Sequence, residues 1–137
     1  MNTMDDLTEE DLQNPLLSGI EVGDSAPEFS MKNACNDDPE IITLSQEIQQ
    51  HNGVLLIFFR GAWWPVWYAF FKRIGKPEVK AEFDKRDVKV IGISHDSVKS
   101  MKRLKFCGYP MIADVTRQIV LNYKTFMVRP NIWDARG

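Results

Sequence analysis

The sequence predicts an α/β fold built around parallel strands, and three observations support this fold class. Residues 54–59 (VLLIFF) are apolar on both faces and bounded by turn-forming residues, which is typical of a strand covered by helices on each side. A second buried strand is predicted at 88–93, and helical patterns lie before and after it. Short links between these segments give the order β-α-β-α-β, which favours a sheet with a parallel core.

The first elements are predicted between residues 41 and 53. Residues 41–44 are rich in β-branched side chains and predict a short strand. Ser45 can then cap a helix of about two turns that ends near Gln50. Gly53 follows this helix, where it would suit a left-handed C-cap.

A longer helix is predicted to begin at Pro65, because the first turn of a helix does not need the N–H that proline lacks. Val66, Phe70 and Ile74 recur at the spacing i, i+4, i+8 and are expected to form its buried stripe. Residues 75–77 (GKP) are expected to kink or split this helix.

Three further elements complete the predicted fold. Asp96 or Ser97 starts a helix that Gly108 ends. Residues 111–113 form a short third strand, and residues 115–123 form a last helix.

Composition places the chain among ordinary globular proteins and argues against several other classes. Hydrophobic residues make up 44% and charged residues 26% of the 137 residues. The longest apolar run is six residues, whereas a membrane span needs about 20. The first twenty residues contain five acids and no Lys or Arg, so no secretory leader is expected. Two cysteines exclude a disulfide-stapled scaffold, and a reducing, cytoplasmic location is expected.

Charge is distributed unevenly along the chain. Residues 1–40 hold eleven acids against Lys32 alone, whereas residues 41–137 hold eight acids and sixteen bases. We interpret residues 1–19 as an acidic N-terminal arm and residues 20–137 as the folded domain. The bases are spread along predicted helices without interleaved aromatic residues, so we expect solvated helix faces and no nucleic-acid partner.

Four motifs occur in an order that resembles a known family. They are residues 22–29 (VGDSAPEF), 60–63 (RGAW), 90–96 (VIGISHD) and 109–114 (YPMIAD). This ordered set resembles the peroxiredoxin-like branch of the AhpC/TSA (alkyl hydroperoxide reductase and thiol-specific antioxidant) family. The resemblance implies a thioredoxin-like fold and an antioxidant, peroxide-reducing redox site without cofactor or metal. It also implies a thioredoxin- or glutathione-type reductant as partner for a redox-active chain.

The resemblance breaks at the redox site itself. Where the family has Cys-Pro-x-Cys, this chain has Trp64-Pro65-Val66-Trp67. In the family the first cysteine attacks the peroxide as a thiolate, and the second can resolve the sulfenic acid to a disulfide. An indole can do neither, so the chain as written is expected to be catalytically silent at this site.

Three explanations of the tryptophan pair stay open. The site is a degenerate pocket that has become an aromatic plug, or the two positions are Cys or selenocysteine that were replaced or misread, or the chain is a decayed fragment. The retained motifs indicate a peroxiredoxin-like thiol or selenol oxidoreductase lineage. The alternative function is a non-enzymatic redoxin-fold module that binds proteins through its Trp-rich face.

The same resemblance assigns the surroundings of the site. Trp63, Pro65 and Pro130 are expected to line the substrate pocket, and Arg129 is expected beside the reacting position. Only seven residues follow Pro130, too few for both the second hairpin strand and the closing helix of the family. The fold is therefore interpreted as truncated at its C-terminus, with an uncovered sheet edge that favours association.

Aromatic residues cluster on the helix that follows the redox-pair positions. Trp64, Trp67, Tyr68 and Phe71 share one helix face by their spacing. This face predicts either an exposed surface for a partner or a weak homodimer, or a collapsed cluster of indoles that fills the old pocket.

The two cysteines and the histidines are not expected to carry chemistry. Cys107 is predicted to be a small buried thiol at the end of a helix. Cys35 lies in an acidic loop, which is expected to raise its pKa and make it inert. His95 follows a strand end but has no second ligand in the local sequence, so no metal site is expected.

Overall fold

The computed structural model describes residues 20–37 and 39–125, which contain five strands, five α-helices and one 3₁₀ helix. The strands are β1 (Ser30–Lys32), β2 (Ile41–Thr43), β3 (Gly53–Phe58), β4 (Val88–Ser94) and β5 (Met111–Ala113). The α-helices are α1 (Leu44–Gln50), α2 (Pro65–Ile74), α3 (Pro77–Lys85), α4 (Val98–Met101) and α5 (Gln118–Asn122). The 3₁₀ helix, Lys102–Cys107, continues directly from α4. No helix among these residues has both the length and the apolar character that crossing a membrane requires.

The three apolar strands form a parallel sheet in the order β3-β4-β5. Leu55 pairs with Val90 between β3 and β4, and Ile93 pairs with Ile112 between β4 and β5. Because β4 is central, its residues from Val90 to Ser94 are all buried. A separate antiparallel pair, β1 with β2, precedes this sheet. The predicted α/β fold with central parallel strands is confirmed.

Helix boundaries follow the local residues that the sequence supplies. Pro65 and Pro77 stand in the first turns of α2 and α3, so the predicted split at residues 75–77 is confirmed. Ser97 caps α4, because its hydroxyl accepts a hydrogen bond from the Ser100 N–H at 3.2 Å. Gly108 ends the 3₁₀ helix in the left-handed region, with φ of 72°.

The buried stripe of α2 differs from the predicted one. Val66 is 60% exposed and Phe70 is partly exposed, whereas Phe71 is fully buried. Phe71 belongs to the main apolar cluster, and Trp67 and Ile74 pack against that cluster. The prediction is therefore confirmed at Ile74 and wrong at Val66 and Phe70, whose places in the packed face are taken by Trp67 and Phe71, because the tight turn before α2 sets the rotation of the helix.

Other predicted elements have different bounds. Ser45 is not the cap of the first helix, because α1 begins at Leu44 and its N-cap is Thr43. Gly53 is the first residue of β3 and not a helix cap, since α1 ends at an extended His51. The last helix comprises only Gln118–Asn122, because Arg117 adopts a positive φ of 63° immediately before it. Arg129 and Pro130, the predicted truncation and the acidic arm lie outside the described residues.

Contacts within the chain divide it into two compact units. One comprises residues 28–118 and contains both sheets. The other includes residues 20–27 and 119–125 among those described. In this second unit the Tyr123 hydroxyl donates a hydrogen bond to the Pro27 carbonyl at 2.6 Å.

Candidate functional site

The candidate site is the loop between β3 and α2. Phe59 is buried after the end of β3, Arg60 is exposed, and Gly61 has a φ of 82°. This left-handed conformation lets the chain reverse, and the Trp64 N–H donates to the Gly61 carbonyl at 2.8 Å. The loop therefore places residue 64 at the start of α2, the helix that follows the edge strand β3.

The carboxylate of Asp96 holds this loop in place. Its Oδ2 accepts the backbone N–H of Gly61 at 3.1 Å and that of Ala62 at 2.9 Å, and the Ser94 hydroxyl donates to the same oxygen. Gly61 and Ala62 are buried, so these N–H groups would otherwise lack a partner away from water. Asp96 therefore fixes the loop from the carboxyl end of the neighbouring strand β4.

Trp64 is the N-cap residue of α2. Its backbone is extended, its side chain makes no capping hydrogen bond, and the side chain is 50% exposed. The N-terminus of a helix offers free N–H groups and a partial positive charge, which would stabilise a thiolate at this position. An indole gains nothing from that field because it carries no negative charge.

Trp67 has a different environment from Trp64. Its ring packs against Phe59 at a centroid distance of 5.5 Å and against Phe70 at 5.6 Å, edge to face. It also lies 6.3 Å from the Phe71 ring. Trp67 is thus part of the packing between α2 and the end of β3, and it alone of the two behaves as a plug. Of the two alternatives for the aromatic face, a collapsed cluster does not describe Trp63 and Trp64, which are 64% and 50% exposed.

An exposed concavity of about 440 Å³ lies beside the start of α2. It is lined by Ala62, Trp63, Pro65, Tyr68 and Arg103. Phe106 is not one of these lining residues, but its ring lies 4.7 Å from the ring of Tyr68 and is nearly half exposed. We call the surface formed by Trp63, Pro65, Tyr68, Arg103 and Phe106 the aromatic groove.

Both cysteines are buried as free thiols in the main apolar cluster. Burial, with a smaller contribution from the charge of a Cys107 thiolate, raises the pKa of the Cys35 thiol to about 11. The Cys35 thiol donates to the Met101 carbonyl at 3.4 Å. Burial also raises the pKa of Cys107, as expected for a thiol at a helix end. The predicted rise in the pKa of Cys35 is confirmed, but its main cause is burial and not the acidic loop.

A sequence model of the AhpC/TSA family matches residues 22–132 of this chain. The match covers most of the chain and includes the loop, Asp96 and both tryptophans. The chain belongs to the AhpC/TSA family. A search of curated protein sequences gives no match.

Solved structures of family members share this fold. The reduced 2-Cys peroxiredoxin of Plasmodium vivax superposes with a TM-score of 0.67 at 19% identity, over 79% of this chain and 71% of that one. Peroxidoxin BcpB of Mycobacterium tuberculosis gives 0.60 at 19%, over 74% and 64%. The yeast mitochondrial 1-Cys peroxiredoxin gives 0.62 at 23%, over 76% of this chain and half of that one. The predicted thioredoxin-like fold is confirmed.

Within this AhpC/TSA member, the structure brings together only part of the predicted site. Trp63, Trp64 and Pro65 lie on one continuous stretch of surface, while Trp67 turns inward. Two residues that sequence reasoning did not select are Asp96 and Arg103. Asp96 ends the motif at residues 90–96, which was a usable signal, whereas nothing near Arg103 in the sequence indicates its place in the aromatic groove.

Proposed function

We propose that this chain, as written, is a peroxiredoxin-like protein without peroxidase activity. One observation carries the proposal: the helix N-cap that would hold the attacking thiolate is occupied by Trp64. Neither remaining thiol can substitute, because Cys35 and Cys107 are buried and their pKa values are raised. At neutral pH both are protonated, and the thiolate is the form that attacks peroxide.

The packing of Trp67 supports the interpretation of a degenerate site. Its ring is accommodated by Phe59 and Phe70, and no buried side-chain polar atom is left unsatisfied among the described residues. A cysteine at 67 would leave part of this space empty. The alternative, that 64 and 67 are Cys or selenocysteine in the natural protein, is decided by the codons at both positions and the intact mass.

Peroxide turnover is the direct test of the proposal. With hydrogen peroxide and a thioredoxin or glutathione reductant, the purified chain should give no rate above the enzyme-free background. The double variant Cys35→Ser, Cys107→Ser is the control for adventitious thiol oxidation. A rate above background that survives this double substitution would overturn the proposal, since no other group here reacts suitably with peroxide.

A partner of reductant type belongs to the proposal only for a redox-active form of the site. In the yeast mitochondrial 1-Cys peroxiredoxin, the thiol resolving mechanism operates via the glutathione and thioredoxin systems. We expect the variant Trp64→Cys, once hydrogen peroxide has oxidised the new thiolate to a sulfenic acid with release of water, to be reduced by such a thiol, and the chain as written not to be. A cytoplasmic location, inferred from cysteine usage, stays a prediction.

The second candidate function is a non-enzymatic module that binds a protein through the Trp-rich face. It is favoured by the exposure of Trp63, Trp64 and Tyr68, of which Trp63 and Tyr68 line the same concavity. Aromatic residues are enriched where protein partners bind, and contiguous exposed aromatic surface on a soluble domain usually marks an interaction site. Substitution of Trp63 and Tyr68 by Ser should abolish binding to a partner without altering the fold.

A further inference from the structure

The aromatic groove combines apolar rings with one cation. Trp63, Pro65 and Tyr68 supply its apolar wall, and Arg103 is the single charged residue of its lining. The rings of Tyr68 and Phe106 are tilted by 43° with their centroids 4.7 Å apart, and both are nearly half exposed. An apolar side chain bound here would contact rings on two sides and lie beside a guanidinium group.

The helical segments that carry the groove residues contain bases and no acids, and among the described residues the one acid bonded to a lining residue is Asp96, whose carboxylate accepts the N–H groups of Gly61 and Ala62. Helix α2 contains Lys72 and Arg73 and no acid, and residues 98–107 contain four bases and no acid. Lys102 and Lys105 are partly neutralised, because they lie 3.7 Å and 3.4 Å from the carboxylate of Asp37. Arg103, between them in sequence, forms no ion pair with any residue that the structure describes.

A guanidinium group beside aromatic rings selects for particular chemistry. Arginine binds carboxylates through two parallel N–H donors, which gives both energy and orientation. A single-stranded nucleic acid would need a row of cations along the stacked rings, and the groove lining holds one. Charge complementarity therefore favours a carboxylate-bearing peptide.

We infer that the aromatic groove binds an acidic protein segment that carries one apolar anchor. The anchor lies between Trp63 and Tyr68, and a carboxylate next to it pairs with Arg103. This inference rests on the binding function proposed above for the same face and names the chemistry of its partner.

Fluorescence anisotropy of a labelled synthetic peptide tests this inference. The probe is a short peptide of Asp and Glu with one central Leu, titrated with the full chain at physiological ionic strength. Arg103→Glu should weaken binding by about tenfold or more, and Arg103→Lys by a smaller factor, because an ammonium group keeps the charge but cannot make two parallel hydrogen bonds to one carboxylate. Lys85→Glu, which makes the same charge change at an exposed residue outside the groove, should have little effect. Tyr68→Ser should weaken binding as Arg103→Glu does.

Each control outcome bears on the inference separately. If Lys85→Glu and Arg103→Glu weaken peptide binding equally, the loss follows from the change in net charge, and the groove is not the binding site. Equal binding of a peptide with Asn and Gln in place of the acids would show that carboxylates are not recognised. Tighter binding of an oligothymidylate would show that the partner is not an acidic peptide. Because all groove variants change exposed side chains, circular dichroism should show the same melting as for the parent chain. A peroxide assay on the same preparation separates failure of the inference from failure of the proposed catalytic silence.

Discussion

Trp64 and Trp67 lie three residues apart at the start of one helix, and they occupy contrasting environments. Trp64 projects from the N-cap with half of its surface exposed, whereas Trp67 packs among Phe59, Phe70 and Phe71. The same residue type therefore has different consequences at these two positions. At 67 it adds packing to the apolar cluster, and at 64 it adds apolar surface to the outside of the molecule. The stability of the fold should therefore depend on Trp67, and association with other molecules on Trp64.

The largest effect should come from removing the packed member of the pair. Trp67→Ala is expected to lower the free energy of unfolding by about 3 kcal/mol, because a ring in contact with three others is lost and a cavity is left. Chemical denaturation measures the change, and Trp64→Ala is the matched control, with an expected change within about 0.5 kcal/mol. Equal losses in the two variants would show that their environments do not differ in solution.

Asp96 should rank second, because it supports the loop beneath both tryptophans. Asp96→Ala leaves the buried N–H groups of Gly61 and Ala62 without their acceptor and is expected to cost about 2 kcal/mol. Asp96→Asn retains one acceptor oxygen and should cost about half as much. Denaturation measures stability, and the emission of the exposed Trp64 should shift with loop disorder. An Ala variant as stable as the parent would mean that water replaces the carboxylate without loss.

The sequence predicts correctly those elements that local residue type decides. It does not predict the rotation of a helix about its axis, because contacts between residues distant in the sequence decide that rotation. The strand at 111–113, the break at Pro77 and the caps Ser97 and Gly108 follow from local propensity. The predicted stripe of α2 holds at Ile74 but was wrong at Val66 and Phe70, because spacing defines a set of faces but not which face of the helix turns toward the sheet. The rotation of α2 is set by the turn at Gly61 and by the hydrogen bond from the Gly61 N–H to the carboxylate of Asp96, which lies 35 residues away in the sequence.

A cysteine placed at the exposed position should react where the native cysteines do not. We expect Trp64→Cys to give a thiol with a pKa below about 8.5, since the start of α2 favours its thiolate. At pH 7.5 such a thiol is at least about 300 times more ionised than Cys35, whose pKa is about 11. The rate of alkylation against pH measures this in a background of Cys35→Ala and Cys107→Ala. An ordinary or raised pKa at 64 would show that the retained framework no longer activates a nucleophile.

The smallest effect expected is weak self-association through the exposed Trp64 and its neighbour Trp63. Trp63 and Trp64 would each contribute roughly 1.5–3 kcal/mol if buried between two copies, much of which offsets the entropy lost on association. Sedimentation at micromolar concentration should therefore show a reversible dimer that the double variant Trp63→Ser, Trp64→Ser shifts to monomer. Trp67→Phe, which keeps an aromatic ring in the apolar cluster, should leave the dimer unchanged. A monomer at all concentrations, with blue-shifted emission that is lost in the double serine variant, would place these indoles inside one subunit and remove the surface on which recognition depends.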